Sequence, residues 1–112
     1  MSNDCLFCKI IRREISAKIA FEDDLVLAFH DIQPSAPVHI LFVPKKHIDS
    51  VVVVPDGEPV VSLLADRAVK AADQLGIQSG GFRLLMNYGP NAGQTVHHLH
   101  MHLLGGGPLS HL

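Results

Sequence analysis

Strong charge of either sign is missing from this chain of 112 residues, which carries a formal net charge of −2. That balance gives no electrostatic case for long-range binding to nucleic acid or to a membrane surface. Any phosphate recognition must come from a local pocket. Long apolar runs are missing too. The stretch "SVVVVP" is far too short to span a bilayer. The opening "MSNDCLFCKIIRRE" has no apolar signal-like core, so the expected location is cytoplasmic. Cysteine is scarce: only Cys5 and Cys8 occur, spaced C-x-x-C. A structural disulfide does not suit a reducing cytosol. A redox pair and half of a metal site both stay open. There is no repeat, Rossmann fingerprint, Walker loop or G-x-S-x-G elbow. Nothing in the sequence requires nicotinamide, flavin or magnesium.

What is present suits one compact domain over 1–112, with a flexible tail from about residue 105. Its composition, 47% hydrophobic and 18% charged, is that of a globular chain that needs no disulfide staple. Asp4 can cap a short helix running to about Arg13, with Leu6, Phe7, Ile10 and Ile11 on its apolar side. "KIAFEDD", "LVLAFHDI" and "VHILFVPKKH" read as three strands, the last stopped by Pro44. "SVVVV" reads as an extended connection. "PDGEPVVSLLADRAVKAADQLGI" holds a long helix with Val60, Leu64, Ala68, Ala71, Ala72 and Leu75 roughly on one face and Gly76 just past its end. "GFRLLMN" and "VHHLHMHLL" are the fourth and fifth strands, joined by the loop "YGPNAGQT". The class is α+β: five largely antiparallel strands, a short N-terminal helix and one long helix packed on the sheet.

The fifth strand poses the chemical question. His98, His100 and His102 alternate with Leu99, Met101 and Leu103. On a strand the three imidazoles lie in line about 7 Å apart, with the apolar residues turned to the core. His97 faces away from the row. An ordinary exposed strand face carries Thr, Lys or Glu. A row of imidazoles can supply a nucleophile with proton shuttles, or ligate a divalent metal. The spacing alone does not choose. The preceding loop favours phosphate chemistry, because Gly89, Gly93 and their small neighbours leave backbone N–H groups free to approach an anion and Thr95 adds a hydroxyl.

His98-Leu99-His100-Met101-His102-Leu103-Leu104 matches the pattern His-φ-His-φ-His-φ-φ, with φ apolar. With "GQTVHHLHMH", "GGGPL", "FHDIQPSAPVHILFVPKKHI" and "FCKIIRREI", it resembles the histidine-triad (HIT) superfamily, Hint branch, from about Cys5 to Pro108. The resemblance implies a HIT-like fold and a homodimer whose two sheets join. It implies hydrolysis of purine nucleoside 5′-phosphoramidates and related adenylates, of AMP or GMP type. His100 would be the nucleophile, its Nδ1–H held by the carbonyl of His98. His102 would contact the phosphate and support protonation of the leaving group. His39 would bond within this network. Asp31 would accept from the ribose hydroxyls, and Ile32 would pack by the base. Asn87 would lie at the phosphate and leaving-group side, and Gly93, Gln94 and Thr95 in the phosphate loop. Members commonly carry Ser where Thr95 stands and Tyr where His97 stands.

No cofactor is needed for that chemistry. Relatives that carry the cysteine pair bind a structural zinc, which here would use Cys5, Cys8, His47 and His98. Three other readings compete. One is a nucleotide-binding or interaction module with little turnover. Another is a metallohydrolase with metal on the triad. The third is a dinucleoside polyphosphate hydrolase of the sister branch, against which the glycines after the triad argue by resemblance.

Overall fold

The computed structural model describes residues 5–111. Helix α1 covers Leu6–Ile11 and strands β1, β2 and β3 cover Ile19–Glu22, Val26–His30 and Val38–Pro44. Helix α2 covers Val60–Gln74, and β4 and β5 cover Phe82–Leu85 and Met101–Gly105. The strands form one sheet in the order β1-β2-β3-β5-β4, and every pair is antiparallel.

Both faces of the sheet are covered, which explains the unbroken apolar runs of β2 and β3. Val26, Ala28, Ile40, Phe42, Met101 and Leu103 pack under Val60, Leu64, Ala68 and Ala72 of α2. The alternate residues Leu27, Phe29, Leu41 and Val43 pack against Phe7 and Ile10 of α1. Alternation across the pleat therefore sorts the core into two layers. The second layer borders the histidines.

Several sequence expectations need correction. Asp4 lies outside the described residues, and the Cys5 side chain caps α1 by accepting from Cys8 N–H. The helix ends at Ile11, and Arg13 takes a left-handed conformation, φ 65°. The valine run is not simply extended: Val51–Val53 form a 3-10 turn capped by the Ser50 hydroxyl. Leu75 sits past the end of α2 and is exposed. Gly76 does take the left-handed conformation expected of it, φ 75°. The fifth strand begins only at Met101, so His98 and His100 precede the sheet rather than lie in it. At the end of β5, Gly105 is needed for closeness: a Cβ there would stand 2.8 Å from Ile77 Cδ1.

Candidate active site

A cleft of about 300 Å³ opens on the α1 side of the sheet, with His100 and His102 in its wall. The β3–β5 register places His102 opposite Leu41 and His39 opposite Leu104. His39 and His102 are thus diagonal neighbours on one face. His100 stands just before β5, its ring centroid 5.1 Å from that of His102.

Partners fix the tautomers. Ser35 N–H donates to His39 Nδ1 at 3.0 Å, so the His39 proton sits on Nε2. That N–H donates to His102 Nδ1 at 2.9 Å. The His102 proton is then on Nε2, which is buried and has no protein partner. His100 Nδ1–H donates to the carbonyl of His98 at 2.7 Å. Its Nε2 therefore carries a bare lone pair at the opposite edge of a ring that lines the cleft. Burial disfavours the charged form of each ring. It lowers His39 and His100 and pushes His102 down to about 4, where the neighbouring His100 and His39 lower it further. The three imidazoles are neutral at neutral pH.

Asp31, Ile32, Asn87, Gly93 and Thr95 also line the cleft. Asp31 Oδ1 accepts Gln33 N–H at 2.8 Å, and its Oδ2 lies 3.6 Å from His39 Nε2. Ile32 is 93% exposed, an apolar side chain held at the cleft rim. Gln94 is not in the lining: its Oε1 accepts Gly89 N–H at 2.9 Å and its Nε2–H donates to Val96 O. Nor are the loop amides free as expected. Those of Ala92, Gly93 and Gln94 close the turn onto Gly89 and Pro90 carbonyls. His97 is exposed, although on a continuous strand it would share the core face with Leu99.

The helical pattern marks Phe7 and Ile10 only as core, yet both line the cleft, as do Phe29, His30 and Val96. Their signal was an α1 too short to need so large an apolar side.

His98 faces elsewhere. Its Nε2–H donates to Pro44 O at 2.9 Å, leaving Nδ1 bare. That nitrogen lies 3.3 Å from Cys5 Sγ, 3.6 Å from Cys8 Sγ and 3.1 Å from His47 Nδ1. Cys8 Sγ and His47 Nδ1 are 3.2 Å apart. His47 Nε2–H donates to Asp49 Oδ1 at 2.5 Å, a partner the sequence did not reveal, and this leaves Nδ1 bare too. These two Nδ1 atoms are acceptors 3.1 Å apart and both face the cysteine sulfurs, so four ligand atoms converge on one point. A tetrahedral ion bound at about 2.0–2.3 Å sets its ligand atoms roughly 3.3–3.8 Å apart, close to the spacings here. Outer partners such as Pro44 O and Asp49 are what metal-bound imidazoles ordinarily have. The donor set fits a divalent metal.

The HIT domain profile matches residues 12–109. The chain is 48% identical over 110 residues to the purine nucleoside phosphoramidase of Escherichia coli, covering 97% of this chain and 92% of that one. Among solved structures it is similar to a histidine triad protein from Clostridium difficile, with TM-score 0.95 and 47% identity over 98% of this chain and 96% of that chain. A HIT family hydrolase from Clostridium thermocellum gives TM-score 0.93 and 45% identity, with the same coverage. No helix among the described residues is long and apolar enough to cross a membrane.

Proposed function

The chain belongs to the HIT domain family and is a hydrolase of that family; on that premise we propose that it cleaves nucleoside 5′-phosphoramidates and related adenylates through a covalent nucleotidyl-histidine. One observation carries the reading: His100 Nδ1–H is spent on the His98 carbonyl, which leaves an unprotonated Nε2 in a cleft wall. A neutral imidazole is a competent nucleophile near neutral pH. His100 Nε2 attacks the α-phosphorus as the P–N bond to the amine breaks. Water then releases the nucleoside monophosphate.

The His102 Nε2–H is a buried donor without a protein partner, suited to a phosphoryl oxygen as charge develops there. His39 holds the ring in that tautomer, and the network supports protonation of the leaving group. Thr95 and Asn87, polar side chains of the cleft lining, are assigned to the phosphate and the leaving group, and Gly93 shares their wall. Gln94 acts indirectly, by bracing the loop. Asp31 accepts from the ribose hydroxyls. Leu6, Phe7, Ile10 and Ile32 offer the base an apolar slot for a purine.

Cys5, Cys8, His47 and His98 hold a structural zinc, a closed four-ligand site with no position for substrate. Zinc there supplies folding energy and no step of the reaction. Elemental analysis of protein purified without a polyhistidine tag tests this: near one zinc per chain supports it, and metal-free, thiol-reactive, fully active protein contradicts it. Further parts of the proposal are a cytoplasmic homodimer joined through the sheets, for which the edge strand β4 is available.

The test of the activity is release of amine and nucleoside monophosphate from a nucleoside 5′-phosphoramidate. His100→Ala should abolish turnover and leave nucleotide binding measurable. Turnover of the variant within about tenfold of wild type would remove His100 from the nucleophile role.

A further inference from the structure

The inference rests on the hydrolase reading and concerns what holds its nucleophile. His100 lies outside the sheet, so no strand ladder fixes it. Its ring is tied instead to the carbonyl of His98, at 2.7 Å. His98 is itself tied by its Nε2–H to Pro44 O and by the chain at Leu99, whose N–H donates to Ile48 O at 2.6 Å. Ile48 follows His47, one of the cluster residues. A second path runs through α1. Phe7 stands between Cys5 and Cys8 in sequence, and its ring packs edge-on against both His98, at 5.9 Å, and His100, at 5.1 Å. A helix of six residues has too few internal hydrogen bonds to place itself, so its tertiary anchors decide where Phe7 lies.

We propose that Cys5, Cys8 and His47 are positioning residues for the nucleophile: a divalent metal held by them with His98 fixes the aim of His100 through the His98 carbonyl and the Phe7 ring. The cluster lies at the back of the catalytic histidine, and His98 belongs to both. With a cation between the bare nitrogens of His47 and His98, their spacing is held. Without it only weak S–H···N contacts join the thiols to the imidazoles, α1 loses its anchor to His47 and His98, and the Phe7 ring and the His98 carbonyl behind His100 are held less firmly. Nucleotide affinity has other sources. Asp31 stands at the end of β2, and Asn87 and Thr95 belong to the connection before the triad. Loss of the metal should therefore act on turnover more than on binding.

The test uses full-length zinc-loaded protein, protein stripped by chelation and reloaded with zinc alone, and the variants His47→Ala and His47→Cys. Three quantities are read: kcat on a phosphoramidate, the Kd of AMP, and the NMR signal of His100 Nδ1–H in histidine-labelled protein. Far-UV circular dichroism reports the fold. The expected result has three parts. Stripping or His47→Ala lowers kcat at least tenfold and broadens or shifts the Nδ1–H signal. AMP Kd stays within threefold and the fold is kept. Reloading the wild type, or replacing His47 by the thiolate of His47→Cys, restores both kcat and the signal. Unchanged kcat and signal after stripping would overturn the proposal. So would failure to take up zinc, or unfolding of the stripped chain, which would make the cluster purely structural. A loaded wild type that turns over no phosphoramidate would sink the hydrolase reading instead, and the Nδ1–H signal would still decide the positioning claim.

Discussion

His39 Nε2 lies 2.9 Å from His102 Nδ1, and this one bond places the His102 proton on Nε2, a buried donor with no protein partner. His39 is buried in β3 and does not itself line the cleft, although its partner His102 does. Its effect passes through its partner.

His39→Ala should therefore lower turnover by roughly 10²-fold, in the range of lost proton-transfer assistance, while AMP affinity changes little. The loss should be larger for substrates with poor leaving amines. Steady-state kinetics on a series of amine leaving groups checks this. A uniform loss across the series, matched by an equal loss of AMP affinity, would make His39 a packing residue.

Asp31 makes a second separable contribution. Its Oδ1 already accepts Gln33 N–H, so Asp31→Asn keeps an acceptor for the turn and removes only charge and one acceptor. Ribonucleotide affinity should fall by roughly 1–2 kcal/mol, the size of a charge-assisted hydrogen bond. The 2′,3′-dideoxy analogue should hardly respond. Calorimetric titration of both ligands decides, and equal losses would leave Asp31 a turn residue.

Stability should depend on pH through the buried imidazoles. Burial holds His102 down to about 4 and lowers His39, whereas the unfolded rings titrate near their ordinary value of 6.5. Between about 4 and 6.5 the unfolded chain binds more protons than the folded one, so stability rises with pH across that window. The contribution is complete above about 6.5 and is lost as pH falls toward about 4. The slope is at most about 1.4 kcal/mol per pH unit for each imidazole. Urea midpoints measured from about pH 7 down to about pH 4 should fall less steeply for His102→Gln than for wild type. Parallel curves would mean that His102 does not carry the effect.

Much of this was legible in the residues. The element order, the antiparallel sheet and the inward face of Leu99, Met101 and Leu103 follow from periodicity and turn chemistry. The start of β5 did not, because "VHHLHMHLL" alternates as a strand throughout. The chain leaves the sheet before Met101 where His98 turns to thiols 90 and 93 residues earlier, as no local pattern reports. The valine run misled in the same way: strand propensity yields to the Ser50 cap, which closes a 3-10 turn. The glycines of the loop suggest a cradle of free amides, but its tightness is achieved by spending those amides on its own carbonyls and on Gln94. The apolar cleft wall was hidden inside the core signal of α1, since Phe7 serves the core and the cleft with one ring.

A covalent bond from phosphorus to His100 Nε2 is the centre of the mechanism, and it can be weighed directly. Protein mixed with a nucleoside 5′-phosphoramidate, quenched within the first turnovers in alkaline denaturant and digested, can be weighed by mass spectrometry. The account expects one nucleotidyl group on the peptide carrying His100, formed and lost at rates that match turnover, and none in His100→Asn. Full-rate consumption of substrate with that peptide unmodified would mean that water attacks phosphorus directly, and His100 would not be the nucleophile.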